Sequence, residues 1–153
     1  MLKRIFCGCS FGSPPPSNNP ALNPLKSPTK SIPFVPPITE GEVINVYDGD
    51  TITIVSKLPY DASPLYRFSI RLAGIDCPEI KGKTEYEREL AQEAKCALRK
   101  LILNKVVTLK NLKNEKYGRV LADVYLGDLH VNQWLLDNKY AVQYSGGTKT
   151  NWV

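Results

Sequence analysis

The sequence contains a single histidine and four cysteines, and no two cysteines stand in a CxxC pair. Structural zinc sites use clusters of these two residue types, so the composition argues against a zinc site. Cys7 and Cys9 lie near the start of the chain, whereas Cys77 and Cys96 lie far from them in sequence. This distribution gives no sign of a disulfide framework.

Long apolar runs are also absent. No stretch approaches the roughly 20 residues that a helix needs to span a bilayer. The apolar pair Ile5-Phe6, which follows the basic start of the chain, is too short for the core of a secretory signal. The sequence therefore predicts an intracellular, cytoplasmic protein with the ordinary composition of a folded domain, 42% hydrophobic and 23% charged.

Residues 1–40 differ in composition from the rest of the chain. They hold nine of the 12 prolines, among serines and asparagines, and such a segment buries too little apolar surface to offset the entropy of ordering. We predict a disordered tail or linker over residues 1–40 and a single domain over residues 41–153. Two states fit Cys7 and Cys9 in this tail: acylated thiols that form a weak membrane tether, or plain reduced thiols.

The formal net charge of +5 is divided unevenly between these two parts. Residues 1–40 hold four bases and one acid, which gives +3, and the other residues hold 16 bases and 14 acids, which gives +2. The domain is thus close to balanced. Any basic surface on it must come from local clustering rather than from overall charge.

Alternation and apolar periodicity predict five strands and two helices. Thr84 and Glu87 have the spacing of a capping box at the start of the first helix. In the third strand Ile70 and Leu72 share the core face, so Arg71 should point away from the core. The order of elements indicates an α+β unit or a small, partly closed barrel. The predicted strands are residues 43–47, 51–56, 67–73, 105–110 and 119–126, and the predicted helices are residues 84–104 and 131–138.

Acidic residues are concentrated at two strand ends. In VYDGDT, Asp48 and Asp50 flank a glycine, and the ordinary explanation of such a sequence is a β-turn. Asp76 and Glu79 follow the third strand, and if that strand end lies beside the turn, four carboxylates converge. Their mutual repulsion either raises their pKa values or is relieved by a cation, and carboxylate oxygens fit a hard ion such as Ca²⁺ or Mg²⁺.

Three segments, VYDGDT, IRLAGIDCPE and EKYGRVLA, occur in this order along the chain. Together they resemble the staphylococcal nuclease (thermonuclease) family from about Gly41 to Tyr144. The resemblance implies an α+β protein with a five-stranded OB-fold barrel and flanking helices. It also implies a calcium ion held by the side chains of Asp50 and Asp76 and by the main-chain carbonyl of Cys77, with Asp48 in the surrounding shell.

The resemblance assigns catalytic roles as well. Glu79 matches the family's general base, and Arg71 and Arg119 match two arginines that hold the phosphate oxygens. Guanidinium groups suit that task because they form forked, charge-assisted hydrogen bonds as negative charge gathers on the phosphate. Lys116 and Tyr117 match positions that contact the nucleotide.

We expect Tyr144 to be a further aromatic near the site, and we assign His130 no chemistry.

The implied function is calcium-dependent hydrolysis of DNA, RNA or both, with little base preference and with 3′-phosphate ends. We expect a monomer that needs no obligate protein partner. The alternative is a non-catalytic OB module that binds nucleic acid or protein, as in the nuclease-like repeats of tudor–staphylococcal nuclease coactivators. Those repeats typically lose the acids and arginines that this sequence keeps.

Overall fold

The computed structural model describes residues 32–147 and residue 152. The β-branched runs on either side of the Asp-Gly bend pair antiparallel, with Val46 opposite Ile52, and this confirms the predicted hairpin. A bulge between Val43 and Asn45 bends the first strand, as bulges in barrels commonly do. The elements, in chain order, are β1 (Glu40–Val46), β2 (Thr51–Lys57), β3 (Leu65–Leu72), β4 (Ile75–Asp76), α1 (Glu85–Ile102), β5 (Val106–Asn114), β6 (Val120–Leu126), β7 (Leu129–His130), α2 (Val131–Asp137) and β8 (Val142–Gln143).

Strands β1, β2, β3, β5 and β6 form a closed barrel. The sheet runs in the order β3-β2-β1-β5-β6, and a parallel pairing of β3 with β6 joins its two edges, with Ile70 opposite Val120. The α+β class and the five-stranded OB-like barrel are thus confirmed. Closure matters for the site because it brings the end of β3 beside the start of β6, although the two are distant in sequence.

The barrel interior is filled by the alternating apolar positions of the strands. Ile70 and Leu72 are fully buried, as the alternation in β3 predicts. One face of α1 adds Ala91, Ala94 and Leu98 to the buried set. Burying a side chain of leucine or isoleucine size is worth about 1.5–3 kcal/mol, so these layers supply most of the driving force for the fold.

Several boundaries differ from the predicted ones. The strand β5 continues four residues beyond the prediction, to Asn114, because a register shift between Lys110 and Lys113 carries the pairing past Asn111, which has a φ of 54°. At the start of α1, Thr84 caps the amide of Glu87 as predicted, but the Glu87 carboxylate accepts a hydrogen bond from the backbone N–H of Lys83. The two-residue strands β4, β7 and β8 were not predicted, since two residues carry no periodicity.

The last residues of the predicted tail pack with the domain. Ile38 is buried in the core, and the Thr39 carbonyl accepts a hydrogen bond from the backbone N–H of Leu109. The predictions for residues 1–31, including those for Cys7 and Cys9, lie outside the described residues. No helix in the described part of the chain is both long and apolar enough to cross a membrane.

Candidate functional site

The bend between β1 and β2 presents two carboxylates. The backbone N–H groups of Tyr47 and Asp48 donate to the Thr51 carbonyl, and the N–H of Asp50 donates to Oδ1 of Asp48 over 3.1 Å. Gly49 packs so closely that a Cβ there would lie 2.8 Å from the Cβ of Cys77. The glycine therefore allows the bend to rest directly against the segment that follows β4.

Arg71 joins the two acidic segments. It lies opposite Thr51 in the β2–β3 ladder, and its side chain points outside the barrel, as predicted. Its Nη1 lies 2.8 Å from Oδ2 of Asp50, and its Nη2 lies 3.1 Å from Oδ1 of Asp76. The guanidinium thus bridges the β1–β2 bend and β4, and it contacts both carboxylates that are predicted to bind calcium.

Asp50 is held by several donors at once. The Thr51 hydroxyl donates to its Oδ1, and the backbone N–H of Cys77 donates to its Oδ2 over 3.4 Å. Burial, followed by the charge of Asp48, raises the pKa of Asp50 to about 6, although Arg71 and the Thr51 hydroxyl act in the opposite direction. A second cation beside this carboxylate would stabilise its ionised form and lower its pKa.

The same environment acts on Arg71 and Cys77. Burial opposes the charge of Arg71, but Asp50, Asp76 and Glu115 outweigh it and raise the pKa of the guanidinium. Burial, then the nearby aspartates, raises the pKa of the Cys77 thiol well above its ordinary value. The shift favours the neutral thiol, so the oxygen that Cys77 can offer a cation is its backbone carbonyl.

A cavity of about 360 Å³ opens beside these residues. Glu79 is exposed and lines it, beyond Pro78, and the Glu79 carbonyl accepts a hydrogen bond from the N–H of Gly82. Asp76 is linked to the cavity through its ion pair with Arg71. The residues that line the cavity include Tyr47, Asp48, Asp50, Arg71, Cys77, Glu79, Lys81, Glu115, Tyr117, Arg119 and Tyr144.

The loop between β5 and β6 supplies the second arginine. Arg119 forms two hydrogen bonds with Glu115, of 2.7 Å from its Nε and 2.9 Å from its Nη2. Tyr117 lies at the tip of this loop and is 92% exposed. The sequence analysis missed Glu115, although this acid stands four residues before Arg119 and directly before the turn Lys116–Gly118.

The structure brings most of the predicted site residues together. Asp48, Asp50, Cys77, Glu79, Arg71, Arg119 and Tyr117 line one cavity, and so does Tyr144, whose hydroxyl donates to the Gly147 carbonyl. Lys116 lies in the short turn Lys116–Gly118, and its side chain is outside the described part of the structure. His130 lies in β7 away from this set. Its ring stacks on the ring of Tyr125, and the two ring centroids are 4.6 Å apart.

The donor atoms suit a hard cation. Asp50 and Asp76 offer carboxylate oxygens and Cys77 a carbonyl oxygen, which are the ligand types that Ca²⁺ takes. Among the described residues, no group of three or more His, Cys, Asp or Glu side chains has the arrangement of a metal site. The predicted set includes only two such side chains, so water or substrate oxygens would have to complete the coordination.

The fold and the cavity together define an OB-like barrel whose strand ends carry arginines and carboxylates around one cleft. Residues 69–151 match the family model of the staphylococcal nuclease homologues, and the chain belongs to this family. The resemblance seen in the three sequence motifs is thereby confirmed.

Individual relatives carry nuclease names. The chain is 32% identical over 117 residues to an endonuclease, Htp3, of Saprolegnia parasitica, and the match covers 68% of this chain and 55% of the relative. It is 33% identical over 97 residues to an uncharacterized endonuclease of Escherichia coli, which covers 63% of this chain and 55% of the relative. A probable staphylococcal-like nuclease of Oryza sativa subsp. japonica, CAN2, is 32% identical over 75 residues, which cover 49% of this chain and 19% of the relative. The chain spans about half the length of the first two relatives.

Proposed function

We propose that the chain is a calcium-dependent nuclease that hydrolyses phosphodiester bonds of DNA, RNA or both. The observation that carries this proposal is that Arg71, Arg119 and Glu79 line the same cavity. Two guanidinium groups and a glutamate around a space of this size suit a phosphate attacked by water. Family membership and the endonuclease names of the relatives support it.

Each side chain has a distinct task in this proposal. Arg71 and Arg119 donate hydrogen bonds to the phosphate oxygens, where negative charge grows in the transition state. Glu79 accepts a proton from the attacking water or orients that water for attack. Little base preference is expected, because all three side chains contact the phosphate or the water. By the family resemblance, the products carry 3′-phosphate ends.

Calcium fits the same scheme. Asp50, Asp76 and the carbonyl of Cys77 would hold the ion, and when bound it supplies Lewis-acid polarisation of the phosphate. Burial, and after it the charge of Asp48, raises the pKa of Asp50 to about 6. A cation bound beside this carboxylate would act in the opposite direction and favour its ionised form, which supports the proposal.

The alternative is a non-catalytic OB module. The observation that favours it is that both arginines already pair with acids of this chain, Arg71 with Asp50 and Asp76, and Arg119 with Glu115. In such a module the same ion pairs would serve stability alone. The alternative predicts binding of nucleic acid or protein without cleavage.

A cleavage assay separates the two functions. Single-stranded DNA and RNA labelled at the 5′ end are incubated with the protein and either Ca²⁺ or a chelator, and a shift of the labelled product on treatment with a 3′-specific phosphatase reports the 3′-phosphate. We expect cleavage only with Ca²⁺, slowed at least about a hundredfold by Glu79→Gln or Arg119→Ala. Glu89→Gln, the same change at an exposed position of α1, is the matched control. Cleavage in chelator, or wild-type rates from both site variants, would contradict the proposal.

A further inference from the structure

Glu115 and Arg119 form a two-point ion pair at the wall of the cavity. Nε of Arg119 lies 2.7 Å from Oε2 of Glu115, and Nη2 lies 2.9 Å from Oε1. Two parallel bonds of this kind fix the plane of a guanidinium as well as its position. Both side chains are partly buried, with 28% of Arg119 and 21% of Glu115 exposed. The pair is therefore shielded from water more than an ordinary surface ion pair.

The backbone holds the same two residues together. Asn114 and Val120 are paired in the β5–β6 ladder, and just beyond them the N–H of Glu115 donates to the carbonyl of Arg119 over 3.0 Å. Between them Tyr117 and Gly118 both have positive φ, 67° and 75°. The spacing of four residues is thus that of a tight hairpin and not of a helix. The hairpin places the carboxylate beside the guanidinium before any substrate arrives.

The pairing leaves a defined part of Arg119 unused. A guanidinium has five N–H donors, and Glu115 occupies the edge formed by Nε and Nη2. The edge formed by Nη1 and the second N–H of Nη2 remains, and it has the forked geometry that matches two phosphate oxygens. Without Glu115 the side chain would be free to turn either edge, or neither, toward the cavity.

We propose that Glu115 is a positioning residue that orients Arg119 so that its terminal edge faces the scissile phosphate. This inference rests on the proposed nuclease function. Glu115 itself touches neither the phosphate nor the attacking water. Its charge is unfavourable for the approach of a polyanion, so its value to the enzyme lies in the orientation of Arg119 and not in substrate affinity.

Two effects of removing the Glu115 charge, one on the rate and one on the affinity, together distinguish a positioning residue from a purely structural one. Removing the charge of Glu115 should slow the chemical step, because Arg119 loses its fixed orientation. The same change should leave the affinity for DNA equal or higher, because one negative charge near the phosphate is gone. A loss of folding stability alone would instead lower the active fraction without changing the rate per folded molecule.

The experiment compares the wild-type protein with Glu115→Gln, Glu115→Asp and the control Glu89→Gln. Single-turnover cleavage of labelled single-stranded DNA with Ca²⁺ gives the rate of the chemical step, and fluorescence anisotropy of the same DNA in chelator gives its Kd. We expect Glu115→Gln to lower the single-turnover rate about ten- to a hundredfold, with a Kd no weaker than that of the wild type. Glu115→Asp, which keeps the charge but is shorter, should fall between the two.

A second readout does not depend on cleavage. The Nε–H group of Arg119, assigned in an NMR spectrum of the folded protein by its loss in Arg119→Ala, should exchange slowly with water in the wild type and fast in Glu115→Gln. An unchanged single-turnover rate in Glu115→Gln, a parallel loss of rate and affinity, or an unchanged Nε–H signal overturns the inference. If the wild-type protein cleaves nothing, the nuclease proposal fails, and the Nε–H measurement still shows whether Glu115 orients Arg119.

Discussion

Arg71 donates to Oδ2 of Asp50 over 2.8 Å and to Asp76 through its other terminal nitrogen, so a predicted catalytic residue contacts both carboxylates that are predicted to bind calcium. The side chain of Arg71 is 11% exposed, and those of the two acids are 5% and 2% exposed. Three charges are therefore removed from water together. Such a group is stable only while its members remain balanced, because an unpaired buried charge is costly.

Replacing Arg71 by alanine should destabilise the protein by about 3–5 kcal/mol in chelator, because it leaves two buried carboxylates without their cation. Calcium should restore part of this loss and should raise the Tm of Arg71→Ala more than that of the wild type. Urea denaturation with and without Ca²⁺ measures both effects. Arg67→Ala, on the exposed part of the same strand, is the control and should change stability little. If Arg71→Ala is as stable as Arg67→Ala in chelator, the three-charge arrangement does not hold the site together.

Calcium binding should depend on the two buried aspartates. Asp50→Asn or Asp76→Asn removes one of two anionic ligands, and ligand charge sets the affinity of calcium sites. We expect Ca²⁺ affinity, measured by titration calorimetry, to fall at least about tenfold in each variant. Asp128→Asn, an exposed position in the turn between β6 and β7, is the matched control. Equal affinity in all three variants would place calcium elsewhere.

The sequence was sufficient to predict the parts of this site that follow from local pattern. The alternation of β3 put Arg71 on the outer face, and the Asp-Gly bend marked the turn that carries Asp48 and Asp50. The contact between that turn and β4 depends on Gly49 resting against Cys77. No period or propensity encodes a contact between segments this far apart. The family resemblance, rather than the residue pattern, predicted that these acids meet.

The arrangement of Arg119 was harder to foresee. Its partner Glu115 stands at a spacing that is common for ion pairs in helices, and only the closed hairpin shows that the two residues face each other across a turn. That turn needs Tyr117 in a left-handed conformation, which is uncommon for a residue with a bulky side chain. A backbone conformation of this sort follows from the fold of the hairpin and is not encoded in composition.

Gly49→Ala should be destabilising even though the φ of Gly49 lies outside the left-handed region. The added Cβ would lie 2.8 Å from both Cβ and Sγ of Cys77 and 3.0 Å from Cβ of Ala94. Relief of such overpacking typically costs about 1–3 kcal/mol and moves the backbone. Because the bend carries Asp50, we expect a lower Tm together with weaker Ca²⁺ binding, read by calorimetry. Ser56→Ala, near the far end of β2, should change neither, and a wild-type Tm for Gly49→Ala would show that the bend yields without cost.

The side chain of Asn132 in α2 forms hydrogen bonds with β6 and with the segment that leads into β4, and its replacement tests how much these bonds stabilise the fold. It is buried; its Oδ1 accepts from the N–H of Val124 over 3.0 Å, and its Nδ2 donates to the carbonyl of Ala73 over 2.8 Å. Asn132→Ala leaves both backbone groups without this partner, at a cost of about 1–3 kcal/mol for each.

We expect Asn132→Ala to lower the free energy of unfolding in urea by about 2–4 kcal/mol. The neighbouring variant Gln133→Ala, which removes an exposed side chain from the same helix, should change it by less than about 0.5 kcal/mol. Amide exchange should speed up at residues 73–77 in Asn132→Ala, because the Ala73 carbonyl no longer anchors the turn before Asp76. If exchange there is unchanged while stability falls, Asn132 supports the barrel alone and has no influence on the acidic segment.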